Sequence, residues 1–251
     1  MKITFVHHSC FVVELEQTVL IFDYFQGNRI DGFSFTGVLP QFDPEKEICF
    51  FASHKHRDHF DMDILKLADI YPGIRYVISK DAKMSPHFLQ KHGLSKGAEH
   101  ITYVEAEKSY RFGTEETMEV RTLRSNDAGV AFVVTVEGRT FYHAGDLHNW
   151  KFEGVGELVN GKMEREYKRQ LRKLEKQHID VAFVVLDPRL GAYTNLGMSQ
   201  FMQSVDADVI FPMHMWQDYS VIPTYKKLCD NKAYADRLQE ITRENQTFEF
   251  P

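Results

Sequence analysis

Apolar residues in this chain gather in short blocks separated by polar or turn-forming residues. Blocks at 3–6, 10–15 and 18–22 alternate or run apolar, which predicts an opening antiparallel meander. Blocks at 47–52, 76–79, 101–104, 117–123, 130–136 and 140–143 predict further strands, with Glu137-Gly138 placed for a hairpin turn. The stretch 180–186 is almost wholly apolar, as in a strand buried on both faces, and 208–212 is the last predicted strand. Helical spacing puts Ile64, Leu65, Leu67, Ala68 and Tyr71 on one face over 61–71, closed by Pro72-Gly73. Helices are also predicted near 86–92 and over 162–177, 199–205 and most of the tail, 225–244. The helix at 162–177 is charged, with a single stripe of Met163, Tyr167, Leu171 and Leu174.

No linker, repeat or break in composition interrupts the 251 residues. Strand-rich halves that each end in helices predict one domain over 1–251, of mixed α/β (α+β) class. Two sheets would pack face to face with helices outside. Lys plus Arg number 30 against 36 Asp plus Glu, a net charge of −6, which argues against a nucleic-acid partner. The three cysteines, Cys10, Cys49 and Cys229, are odd in number and have no close pair, so no disulfide framework is expected; Cys10 reads as core. The N-terminus lacks an apolar signal region, and no run approaches the ~18 apolar residues of a membrane span. A cytoplasmic protein without a membrane partner is therefore expected.

The candidate chemistry lies in His54-Lys55-His56-Arg57-Asp58-His59, between the strand at 47–52 and the helix at 61–71. Loops at strand ends commonly display catalytic groups. Imidazole and carboxylate at this density suit a first-row divalent metal, with Zn(II) ahead of Mn(II) or Fe(II). Two distant segments add ligand types at strand ends: Phe141-Tyr142-His143-Ala144-Gly145-Asp146 and Ile210-Phe211-Pro212-Met213-His214. Alone, Asp146 reads equally as a helix cap and His214 as a core residue; with the first cluster they complete a site.

These motifs, in this order and together with Asp23 after the early hairpin, resemble the metallo-β-lactamase-fold superfamily over essentially the whole chain. The resemblance implies a four-layer αββα sandwich with its metal loops on one edge. It also implies that His54 and His56 hold one metal, that Asp58, His59 and His214 hold a second, that Asp146 bridges them, and that Asp23 braces the loops. The family usually supplies one more histidine before the bridging aspartate, yet none occurs from 113 to 142. Arg124-Ser125-Asn126-Asp127-Ala128-Gly129 stands there instead. Asp127 either replaces the ligand or caps the turn before Gly129. The short length and the opening Phe5-Val6-His7-His8-Ser9-Cys10-Phe11 look most like the lactonase-like branch, which includes ascorbate-6-phosphate lactonase.

The expected function is a metal-dependent hydrolase with one or two divalent ions. A metal-bound hydroxide would attack a small ester, lactone or phosphoester, with Asp58 and His59 as catalytic residues. The branch suggests a small cyclic or phosphorylated ester as the partner molecule. His8, His148 and Trp150 are expected to line the cleft. Arg189, in Asp187-Pro188-Arg189, either meets an anionic substrate or pairs with Asp187 to shape its loop. Two other readings remain: a phosphodiesterase or nuclease on the same centre, opposed by the net charge and the lack of long insertions, and a non-catalytic metal-binding module, supported by the missing histidine.

Overall fold

The computed structural model describes residues 1–228 and 232–251. Strands β1 (Lys2–His7), β2 (Cys10–Glu14), β3 (Thr18–Phe22), β4 (Glu47–Ala52), β5 (Arg75–Ser79) and β6 (Ile101–Val104) lie in chain order in a first sheet. The second sheet runs β7 (Ser109–Phe112), β8 (Met118–Arg124), β9 (Val130–Val136), β10 (Arg139–His143), β11 (Ile179–Val185) and β12 (Ala207–Met213). A final strand, β13 (Gln246–Glu249), returns to the first sheet and pairs antiparallel with β1. The opening three strands form the expected antiparallel meander, and β3 to β6 are parallel. In the second sheet β7 to β10 are antiparallel, whereas β10, β11 and β12 are parallel. Positive φ at Glu137 (49°) and Gly138 (72°) makes the tight β9–β10 turn that the sequence marks.

The apolar runs follow from burial on both faces. Successive strand residues point to opposite sides, so Phe11, Leu20, Phe22, Cys49 and Phe51 face the core between the sheets. Their neighbours Val12, Val19, Ile21, Ile48 and Phe50 pack outward with Ile64, Leu65 and Ala68. Phe11 meets Phe183 at 4.3 Å between ring centroids and Phe51 meets Phe132 at 5.2 Å, which joins the two sheets. Beyond the second sheet, Tyr142 stacks on Phe201 of the helix Leu196–Ser204. Helices thus cover both outer faces, giving four layers.

Four expectations need correction. Strands β7 and β13 are additional to those read from sequence, so 208–212 is not the last strand. Each is an edge strand, β7 with only Phe112 buried and β13 with no residue fully buried, and so carries no apolar run. The helix expected at 162–177 spans Glu157–Leu171; its first turn exposes Leu158 and Val159 and so hides the amphipathic signal. The segment at 61–71 is a 3₁₀ helix, Met62–Asp69. The tail is helical only over Val221–Leu228 and Lys232–Arg237. Cys10 and Cys49 are buried and free, and Cys229 lies outside the described residues. Among the described residues no helix is long and apolar enough to cross a membrane.

Candidate metal centre

The site residues share one topological rule: each lies in a loop that leaves the C-terminal end of a strand. His8 follows β1, Asp23 β3, Ser53-His54 β4, Asp146 β10, Asp187 β11 and His214 β12. All these ends lie on one edge, where loops from the two sheets are stitched together. The His214 amide donates to the His8 carbonyl (3.1 Å) and the Val130 amide to the Ser53 carbonyl (2.9 Å). His143 Nε2 donates to the Ser9 carbonyl at 2.9 Å. Three of the turns use left-handed backbone at non-glycine residues: His8 (φ 49°), Asp23 (46°) and His214 (65°). Such conformations persist only where the surroundings enforce them, and they concentrate at functional sites. Gly129 and Gly145 allow the closest approaches, since a Cβ on either would fall within 3 Å of Ser53.

Two groups of potential ligands result. In one, His8, Asp58, His59 and His214 bring their donor atoms within 4.8 Å of one another; in the other, His54, His56, Asp127 and Asp146 do so. Asp146 faces both groups. Its Oδ1 is 3.0 Å from His59 Nε2 and 3.4 Å from His214 Nε2, while Oδ2 is 3.2 Å from His54 Nε2 and 3.8 Å from His56 Nδ1. Asp58 Oδ2 lies 3.3 Å from His8 Nε2 and 3.4 Å from His214 Nε2.

For His54, His59 and His214 the far side of the ring fixes its orientation. His59 Nδ1 is 2.8 Å from Asp23 Oδ2, and His214 Nδ1 is 2.9 Å from Asp187 Oδ2. A carboxylate only accepts, so each Nδ1 is a donor and each Nε2 is aimed inward. Ser53 Oγ donates to Asp23 (2.6 Å) and therefore accepts from His54 Nδ1 (2.9 Å), which leaves His54 Nε2 free of a proton. Nε2 of His8, His59 and His214, together with Asp146 Oδ1, is buried without a hydrogen-bond partner. Buried polar atoms are rarely left so. Their close distances lack hydrogen-bond angles, as expected of donors arranged around a common centre rather than toward one another. Three imidazoles and two carboxylates with this convergence fit a divalent metal.

Electrostatics agree with that chemistry. Burial would raise the Asp58 carboxyl and Asp146 likewise, but the surrounding imidazoles hold both well below the usual carboxylate range. Burial would lower His214, yet Asp146, Asp187 and Asp58 push it up to about 9; His59 is raised well above its ordinary value by Asp146 and Asp58. His8, dominated by burial, drops to about 3.

A cleft of about 520 Å³ opens beside these groups, lined by His56, Asp58, Asp127, Asp146 and His214 on one side. Trp150 and Arg189 line it as the sequence suggests. His8 and His148 do not. The turn after β1 sends His8 inward to Asp58, and His148 is fully buried against Gly197 with burial lowering it to about 3. Arg189 is paired with Asp187, which shapes its loop, and its side chain also lines the cleft. Asp127 joins the group of His54, His56 and Asp146 from an exposed position, 3.7 Å from His56. Sequence reasoning missed His8 as a ligand candidate and Asp187 as the partner of His214. Each is among the first polar residues after an apolar strand, the same signal that Asp23 gives.

A family model described as Beta-lactamase superfamily domain matches residues 2–157. The chain is 29% identical over 161 residues to an Opitutus terrae protein named a UPF0173 metal-dependent hydrolase. That alignment covers 58% of this chain and 63% of the relative, less than two thirds of its length. A Bacillus licheniformis protein of the same name is 27% identical over 251 residues, covering 95% of this chain and 92% of that one. Among solved structures, CmlA, a diiron beta-hydroxylase from Streptomyces venezuelae, shares the fold with a TM-score of 0.63 at 12% identity, over 99% of this chain and 54% of that one. With its two sheets, covering helices and strand-end loops in this arrangement, the chain belongs to the β-lactamase superfamily and has the metallo-β-lactamase sandwich fold.

Proposed function

We propose that this chain, as one domain over residues 1–251, is a metal-dependent hydrolase acting on a small ester, lactone or phosphoester. The observation that carries the reading is the convergence of buried, unpartnered Nε2 atoms: His59 and His214 on Asp146 Oδ1, and His8 and His214 on Asp58 Oδ2. The names of the relatives, metal-dependent hydrolases, support it. His8, Asp58, His59 and His214 would hold one ion, His54, His56 and Asp127 another, and Asp146 would bridge. Mixed nitrogen and oxygen donors favour zinc, with manganese or iron next. The tighter site is the one built on buried rings; the site that includes Asp127 is exposed and weaker. Membership of the lactonase-like branch belongs to this same proposal, carried by the opening motif and the short length.

Bound there, a divalent ion supplies a Lewis acid and lowers the pKa of a coordinated water toward ~7. The chain's own residues do the rest. Asp58 reaches the cleft, and its strongly held ionisation makes it an acceptor that orients a water rather than a base that keeps its proton. His59 does not line the cleft, so its role is to hold the centre. Asp23 and Asp187 fix the rings. Trp150 Nε1 donates to the Asp146 carbonyl at 2.8 Å and ties the cleft wall to the bridging loop.

Elemental analysis of protein purified without chelator should find at least one transition metal per chain. Hydrolysis of simple aryl esters should vanish on chelation and return with Zn(II), Mn(II) or Fe(II). Unchanged metal content in the double variant His59→Ala, His214→Ala would overturn the assignment.

A further inference from the structure

We infer that the substrate is an uncharged carboxylic ester or lactone carrying an apolar arm, an inference that rests on the hydrolytic reading of the neighbouring centre. Beside the carboxylates and imidazoles, the cleft is lined by Trp150, Phe152, Val155, Val159, Met163 and Trp216. The apolar wall continues outward. Phe152, Val155, Leu158 and Val159, exposed by 40%, 40%, 84% and 48%, make up half of the exposed large hydrophobic side chains among the described residues. Clustered exposed apolar residues beside a site mark a binding surface. Trp150 and Phe152 stack with their ring planes parallel within 8° and centroids 6.4 Å apart, so the wall carries an aromatic pair.

Among the described residues that line the cleft, no Lys or Arg is free of a carboxylate partner. Arg189 is the single Lys or Arg lining the cleft, and Asp187 takes its guanidinium at 3.0 Å through Nε and 2.6 Å through Nη2. The same guanidinium lies 4.2 Å over the Trp216 ring. The cations of the metal loop, Lys55 and Arg57, line a different cavity of about 670 Å³ with Arg29 and Lys83. A phosphate or carboxylate on the distal arm would lose hydration and meet only a guanidinium whose charge Asp187 already neutralises. The phosphorylated esters suggested by the lactonase-like branch are therefore disfavoured. An alkyl or aryl arm instead buries its area against tryptophan and valine. Hydrolysis breaks the acyl carbon–oxygen bond, the hydroxyl of water passing to the acyl carbon and a proton to the leaving alkoxide.

The chain's two tryptophans, Trp150 and Trp216, both line this cleft, so intrinsic fluorescence reports its occupancy without turnover. The protein, metal-loaded and chelated, is titrated with linear 2-alkanones from 2-butanone to 2-decanone, and 2-octanone is compared with 7-oxooctanoate. Affinity should rise about 3–4-fold per methylene in both forms. In the loaded protein the carboxylated arm should bind at least 10-fold more weakly. Val159→Lys, at an exposed position, should flatten the chain-length series and favour 7-oxooctanoate. Affinity independent of chain length, or 7-oxooctanoate equal to 2-octanone, overturns the substrate class, even where chelation still abolishes ester hydrolysis. A steep series in a protein with no metal-dependent hydrolysis keeps the ligand class and overturns the reaction.

Discussion

Asp187 Oδ2 lies 2.9 Å from His214 Nδ1, while the same carboxylate binds the Arg189 guanidinium and sits 3.3 Å from Trp216 Nε1. Asp23 does the equivalent for His59 from the other sheet, at 2.8 Å. Each sheet thus contributes a buried carboxylate that fixes the tautomer and aim of one imidazole. Outer carboxylates of this kind raise ligand basicity as well as orienting the ring.

Replacing Asp187 by Asn should lower metal affinity by about 10–100-fold with little change in fold. Competition with a chromophoric chelator measures it. Arg189→Ala should cost less, because the Asp187 contact to His214 survives. An Asp187→Asn protein with wild-type affinity would show that the contact is only structural.

Metal binding should release protons. His214, at about 9, and His59, raised well above its ordinary value, hold protons at pH 7 in the metal-free protein, and an ion must displace them. Affinity should therefore climb with pH up to about 9, and calorimetry in buffers of different ionisation enthalpy should count the protons released. The stability linkage has a definite sign. The folded value of His214 lies above its ordinary 6.5, so its contribution is complete below pH 6.5 and is lost as pH rises through about 9. The Tm of metal-free protein should fall over that window, and added metal should restore it. A flat Tm from pH 6.5 to 9 would contradict the pairing.

Asp127 should matter for one ion only. Its carboxylate is about half exposed, 3.7 Å from His56, and is the acidic member of its loop. Titration of metal-free protein should show two unequal affinities, with Asp127→Ala removing the weaker and leaving the tighter. Two equal sites unaffected by the substitution would make Asp127 a turn residue.

Gly129→Ala should destabilise the protein by at least about 2 kcal/mol and weaken metal binding as well. Its φ is +63°, and an added Cβ would fall 2.0 Å from the Ser53 carbonyl and 2.6 Å from His54 Cβ. Gly138→Ala is the control: its φ is also positive, at +72°, but nothing lies within 4 Å of the new Cβ. The control should cost only the backbone term, about 1–2 kcal/mol, and leave metal affinity intact. Thermal melts with chelator competition separate the two, and equal effects at both glycines would remove the role given to close packing at Ser53.

The sequence by itself determined the strands with continuous apolar runs and the candidate metal-ligating loop. Runs such as 47–52 and 130–136 are apolar because both faces are buried, a local signal that needs no knowledge of the partner. His54, His56, Asp58 and His59 are likewise legible because they are crowded into six residues of one loop. Edge strands β7 and β13 escaped, since half-buried strands carry no continuous apolar run. Only the tertiary structure could bring His8 to Asp58, set Asp187 behind His214, and bury His148 instead of opening it to the cleft. Each of those outcomes depends on the turn taken at a strand end and on which strand of the opposite sheet lies across from it. The relation between residues 8 and 58, or 148 and 197, is fixed by sheet packing and left-handed turns, which leave no periodic trace along the chain.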